Sequence, residues 1–196
     1  AVSAILAYEN GLDFEMVFAD TKGEHATTYS FIIDLVAKIP RPFHWLVDGR
    51  DIWDVFIDER FIGNSRIAPC SKILKTKPVK KYLEQQAGPD DIMVLGMDYS
   101  ELDRIERAQK VWAPRKVVSL INEYKCYRPE WDAMLRRYVT YEPELYKIGF
   151  PHNNCAGACV RAGLKQWATL LERNPSEYQK AELGEKRATE AIRKRH

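Results

Sequence analysis

The chain has 196 residues, 45% of them hydrophobic, with 30 Lys and Arg against 28 Asp and Glu for a formal charge of +2. That length buries a real core without a disulfide or metal staple, and the near-balanced charge gives no bulk electrostatic footprint for nucleic acid or a membrane surface. Four cysteines are too few for a secreted disulfide scaffold, and no apolar run approaches the roughly 20 residues of a membrane-spanning helix, so a soluble, cytoplasmic chain is expected. The opening Ala1-Val2-Ser3-Ala4-Ile5-Leu6 lacks the basic flank and apolar core of a signal peptide. It also lacks a Met and starts in mid-pattern, as though a first element preceded it.

Val2, Ile5 and Leu6 are spaced for a helix over residues 1–10, which Asn10-Gly11 stops. The run 14–19, ending at Asp20, reads as a buried strand. Phe31, Ile32, Leu35 and Val36 then mark a helix from Thr27 or Thr28 to Ala37. Pro40 and Pro42 separate it from a second strand over 43–47, closed by Asp48-Gly49. Residues 51–61 read as helix, Pro69 opens a short helix containing Cys70, and another runs from Pro78 to Gln86. A third strand covers 92–96, a charged helix 100–110 and a fourth strand 116–120. Helices follow over 129–139, 142–149 and 155–171, and a polar, solvated helix runs from 175 to 196. Strands alternating with helices predict an α/β fold with a mostly parallel sheet covered on both faces, plus a helical C-terminal extension.

In such a sheet ligands bind beyond the carboxyl ends of the strands. Three strands end in polar signatures there: Asp20-Thr21-Lys22-Gly23-Glu24-His25, Asp48-Gly49-Arg50-Asp51 and Gly96-Met97-Asp98-Tyr99-Ser100-Glu101. Acidic groups in these loops suit a ribose hydroxyl or Mg²⁺, whereas Asp48 and Ser100 also fit plain helix capping. Cys155 and Cys159 are four apart, on one face of the expected helix, with the thiol near the helix N-terminus expected to ionise readily. With Cys70 they form a possible soft-metal set, but the spacing does not separate metal binding, a disulfide and packing, and Cys126 is a fourth ligand or a bystander. Lys72, Lys75, Lys77, Lys80 and Lys81 crowd one segment, while Arg104 and Arg107 follow strand three. Such cations clamp phosphates or lie along a solvated face. His152 is an acid, a base, a ligand or a structural residue.

The run Val17 to His25, with Thr28-Tyr29-Ser30-Phe31 behind it, resembles phosphoadenosine phosphosulfate reductase-like proteins of the N-type ATP pyrophosphatase (adenine nucleotide alpha hydrolase) superfamily. Pro69-Cys70-Ser71-Lys72 through Pro78, Val94 to Asp98 with Glu101, Arg104 and Arg107, and Phe150 to Gly163 match in the same order. The last of these resembles the Cys-rich element of a bacterial and phage subgroup. The resemblance spans roughly residues 1 to 180. It implies a fold that binds ATP or a related adenine nucleotide with Mg²⁺ and activates a substrate as an adenylate, in several relatives for sulfur transfer. Asp20 and Thr21 would flank the nucleotide, with Gly96 near the adenosine and Asp98 and Glu101 on the same acidic edge. Lys75 and Arg104 would contact phosphate, and His152 would join them as a catalytic group. Cys70, Cys155 and Cys159 would hold a [4Fe–4S] cluster, or alternatively zinc.

The family's Ser-Gly-Gly-x-x-Ser phosphate loop and first strand are not in this sequence, which begins inside the corresponding first helix. A nucleotide-binding domain is therefore expected over 1–150 and a Cys-containing helical extension over 151–196. The Glu-Cys-Gly-Leu-His tail of the assimilatory reductases is also missing. The alternatives are a sulfonucleotide reductase and a non-catalytic nucleotide- or metal-binding domain. A nucleic-acid or sulfur-donor partner and a homodimer complete the expectations.

Overall fold

The computed structural model describes residues 1–140 and 142–194. Its elements are α1 (Val2–Glu9), β1 (Met16–Asp20), α2 (Ala26–Lys38), β2 (Phe43–Val47), α3 (Ile52–Asp58), a π-helical segment (Ser71–Thr76), α4 (Lys77–Gln86), β3 (Met93–Val94), α5 (Leu102–Trp112), β4 (Val117–Val118), α6 (Leu120–Glu123), α7 (Arg128–Tyr138), α8 (Glu144–Lys147), α9 (Leu164–Arg173) and α10 (Pro175–Arg193). Short 3₁₀ turns cover Tyr99–Glu101 and Asn154–Gly157. The class is α/β, but the strands pair as two two-stranded sheets, β1 with β2 and β3 with β4, rather than as one extended sheet. The expected third and fourth strands shrink to two residues each. Their parallel ladder pairs Met93 with Val117 and Val94 with Val118, framed by Met93 N–H to Lys116 O at 2.9 Å and Leu95 N–H to Val118 O at 3.0 Å. Among the described residues no helix is long and apolar enough to cross a membrane.

The chain divides into two compact units. Unit 1 gathers Ala1–Met16, Phe31–His44 and the stretch beginning at Tyr82; unit 2 gathers Val17–Ser30, Trp45–Lys81 and the stretch beginning at Glu142. In unit 1, α1 is apolar on several sides and buries Val2, Ile5, Leu6 and Ala7 against α6 and α7. Leu35, Ile39, Leu120, Ile121 and Met134 complete that core, and Cys126 sits inside it at 6% exposure. Burial raises the Cys126 thiol pKa, so this cysteine is a core residue of unit 1.

Unit 2 has two apolar clusters, one around Leu145, Phe150, Ala158, Leu170 and Ala181, the other around Ile52, Val55, Ile73 and Leu74; Trp53 packs against both. The terminal helix is less solvated than its charges predict. Ala181 and Ala188 are buried, and Gly184 between them faces the Trp53 indole, so α10 lays a small-residue side on α3. Arg187 on the same helix bonds both carboxylate oxygens of Asp51 at 3.1 Å. Asp51, rather than Asp48, caps α3; Asp48 is paired with Arg50 at 2.6 Å. The expected tail extends to Arg195 and His196, which lie outside the described residues.

Two helices differ from expectation for local reasons. The segment around Cys70 runs into α4 without a break, through a widened turn in which Lys77 N–H reaches Lys72 O. Pro78 has no N–H, and its ring would crowd the carbonyl four residues back, which a wider turn relieves. The helix expected over 155–171 starts only at Leu164. Before it, Cys155, Ala156 and Gly157 all have left-handed backbone, with φ of 51°, 49° and 87°. The two cysteines therefore do not share a helix face.

Candidate functional site

In unit 2, β1 delivers Asp20 and Thr21 to a buried position, 8% and 2% exposed. Asp20 is committed to protein donors. Its Oδ1 accepts from Lys22 N–H at 2.7 Å and the Tyr29 hydroxyl at 2.9 Å, and its Oδ2 accepts from Trp45 Nε1 at 3.1 Å. Tyr29 stacks on Trp45 at 5.7 Å, and burial together with Asp20 pushes its phenol well above the ordinary range. Asp20 thus organises the strand end and its aromatic pair. Thr21 Oγ1 donates to Glu24 Oε1 at 3.3 Å.

Glu24 ties the next layer together, and nothing in the residue pattern singled it out. Its side chain is 4% exposed, and Oε1 also receives Lys75 Nζ at 3.2 Å. Oε2 accepts the backbone N–H of Cys155 at 3.1 Å. Of the five clustered lysines, Lys75 is therefore the one drawn into this site. Burial opposes its charge, but Glu24 and the nearby Cys155 and Cys159 outweigh that and raise its pKa.

The left-handed turn holds the thiols. Each non-glycine residue in that conformation costs about 1–2 kcal/mol, so neighbouring bonds must offset it. Besides the Glu24 bond, Ala158 N–H closes onto Cys155 O at 2.8 Å, and Gln166 Nε2 donates to Gly157 O at 2.9 Å. Asn153 donates to Thr28 Oγ1, while its own buried Oδ1 finds no partner among the described residues. At the start of α8, Glu144 N–H meets Thr27 Oγ1 at 3.0 Å, and His25 Nδ1 lies 2.7 Å from that same hydroxyl oxygen.

Within this frame Cys155 and Cys159 interact, and each is the largest influence on the other's ionisation. That interaction, the Arg161 backbone N–H and the charges of Lys75 and Arg161 hold Cys159 below the ordinary thiol range, and Cys155 is correspondingly raised. Burial raises Cys70, which also feels the Cys159 charge. Cys159 thus lies within electrostatic reach of both Cys70 and Cys155. Thiols are the right donors for iron–sulfur chemistry or zinc. Among the described residues, however, no three His, Cys, Asp or Glu side chains stand at metal-ligand spacing. The donor set fits in kind and number but is not gathered on one centre in this arrangement. His152 is exposed, three residues before Cys155.

The other predicted residues lie in unit 1. Gly96 follows β3, and a Cβ there would be 3.6 Å from Ser3 Oγ, which is buried without a partner among the described residues. Asp98, 2% exposed, caps the 3₁₀ turn and accepts Ser100 N–H at 2.8 Å and Arg128 Nε at 3.1 Å. Those contacts, the Ser100 bonds foremost, lower its pKa. Glu101 reaches back to Asp98 N–H and pairs with Arg104, so Asp98, Glu101 and Arg104 form a bonded helix start. Unit 1 also holds a pocket of about 460 Å³ lined by Leu102, Ile105, Val117 and Asn122 among others, but by none of the predicted site residues. The chain matches no protein-family model, no curated protein and no solved structure, so its function has to be argued from the chemistry of these residues.

Proposed function

We propose that the chain is an ATP-pyrophosphatase-type enzyme that binds an adenine nucleotide with Mg²⁺ and activates a substrate as an adenylate for sulfur transfer. The observation that carries this reading is the gathering of Cys70, Cys155 and Cys159 around Lys75 and Glu24, next to the strand end at Asp20 and Thr21. A substrate oxygen attacks the α-phosphorus, pyrophosphate leaves, and sulfur later displaces AMP. The Lys75 ammonium is suited to neutralise charge on the phosphates, an effect strengthened where water is excluded. Cys70, Cys155 and Cys159 would hold a [4Fe–4S] cluster, which would supply an iron able to carry sulfide. The adenine nucleotide alpha hydrolase fold and the roles of Gly96, Asp98, Glu101, Arg104 and His152 belong to the same proposal.

The test is ATP·Mg²⁺ binding by calorimetry on anaerobically purified protein, with iron and sulfide measured in parallel. Binding weakened about tenfold by Lys75→Ala, as loss of a charged phosphate contact implies, is the expected result. Unchanged binding by that variant, or no binding at all, overturns the nucleotide reading. Iron lost in Cys155→Ser supports the cluster, and stoichiometric zinc in a colourless protein overturns it.

One observation favours a second reading as a sulfonucleotide reductase: Cys159 is drawn below the ordinary thiol range beside Cys155, which is raised. The thiolate would attack sulfur and break its bond to the nucleotide. A second thiol would then expel sulfite and leave a disulfide for an external dithiol to reduce. Sulfite formed from phosphoadenosine phosphosulfate decides for it.

A further inference from the structure

The two oxygens of the Glu24 carboxylate serve segments far apart in the chain. Lys75, 51 residues on, and Thr21 share Oε1, while Oε2 takes the backbone N–H of Cys155, 131 residues on. A carboxylate buried to this extent persists only when it is paired and hydrogen-bonded, and here both oxygens are occupied. The backbone bond is the informative one. It reaches the first of three consecutive left-handed residues, a conformation that survives only where its surroundings over-determine it. The same carboxylate holds the Lys75 ammonium at 3.2 Å on one oxygen while the other takes the Cys155 N–H, and Lys75 feels the charges of Cys155 and Cys159.

We infer that Glu24 is the positioning residue of the thiol site: it locks the left-handed turn that sets Cys155 against Cys159 and aims Lys75 at that pair. The inference rests on the reading of these thiols as one functional site. It assigns Glu24 no contact with substrate. Its effect passes through the backbone of Cys155 and the ammonium of Lys75.

Phenylarsine oxide provides a probe that needs no knowledge of the substrate, because it condenses with two neighbouring thiols to a cyclic dithioarsenite and releases water. The full chain is titrated with it under a non-thiol reductant, and circular dichroism confirms that each variant is folded. Wild type captures one arsenical, and Cys155→Ser and Cys159→Ser lose capture. Glu24→Ala weakens capture at least about tenfold, because two thiols no longer held together lose their mutual effective concentration. Glu24→Gln restores most of it, since the amide oxygen still accepts the Cys155 N–H, a rescue that general destabilisation does not produce. Glu24→Asp, too short to serve Lys75 and Cys155 together, falls in between and decides the matter if the alanine variant does not fold. Capture by Glu24→Ala or Glu24→Asp equal to wild type overturns the role of Glu24 and leaves the thiol site standing. Loss in Glu24→Ala without rescue by Glu24→Gln, both folded, also overturns it. No capture by wild type overturns the thiol site and, with it, this inference.

Discussion

The indole of Trp53 occupies the space that a side chain at residue 184 would take: a Cβ added to Gly184 would lie 2.2 Å from Nε1 and 2.3 Å from Cε2. Two opposing effects meet there. Replacing a mid-helix glycine by alanine gains about 1 kcal/mol in helix propensity, whereas overpacking costs about 1–3 kcal/mol. The contact is too short for the propensity to prevail. Gly184→Ala is expected to lower stability by about 1 kcal/mol, read as a reduced urea midpoint at unchanged slope. A raised midpoint would show that α10 does not press on Trp53.

At the start of α3, Asp51 has two duties. It accepts the Asp54 N–H at 2.7 Å as the helix cap, and it receives Arg187 at 3.1 Å. A cap is worth about 1 kcal/mol and a half-exposed ion pair less. Asp51→Ala should therefore destabilise by about 1–2 kcal/mol and Arg187→Ala by under about 1 kcal/mol. Equal losses in denaturant titrations would mean that the cap contributes nothing.

Asp98 gives unit 1 an acid-sensitive contribution. Its carboxyl pKa is held below the ordinary value by Ser100 and Arg128, so its stabilisation is complete above the unfolded-state pKa near about 3.9 and is lost as pH falls through the lower folded-state value. Asp98→Asn should cost about 1–2 kcal/mol at neutral pH, toward the low end because Arg128 is exposed. The difference from wild type should close below about pH 4. A gap that keeps its full size well below that pH would refute the assignment.

Among the thiols, Cys159 should react first. Its pKa is lowered chiefly by its interaction with Cys155, so limiting iodoacetamide at neutral pH should label Cys159 before Cys126, which is buried. Cys155→Ala removes that partner. Labelling should then slow, by up to about tenfold for each unit the Cys159 pKa rises, as followed by peptide mass spectrometry. Faster labelling of Cys159 in that variant would refute this influence of Cys155.

The parts of the fold legible in the residues were those decided locally. The apolar run before Asp20, the α2 spacing of Phe31, Leu35 and Val36, and the β2 run between Pro42 and Asp48 all appear where they were expected. The third and fourth strands read longer than they are, because a ladder extends only as far as a neighbour answers it, and β3 and β4 answer each other over two residues. The spacing of Cys155 and Cys159 was legible, but its geometry was not. The i,i+4 rule presumes a helix, and the left-handed run ending at Gly157 breaks it. Glu24 was visible as one acid in a polar loop. What distinguishes it is burial and partners 51 and 131 residues away, which no local pattern carries.

Pro78 lies eight residues beyond Cys70, yet it bears on which way two site residues point. In an α-helix, positions five apart diverge by about 140° around the axis. The wider i→i+5 winding ahead of Pro78 brings such positions back toward one side, and Cys70 and Lys75 are five apart. The proline thus acts as a phase setter for a helix that would otherwise aim these two groups apart. Pro78→Ala would let the segment rewind, turning Lys75 out of step with Cys70 while leaving every side chain of the site in the sequence.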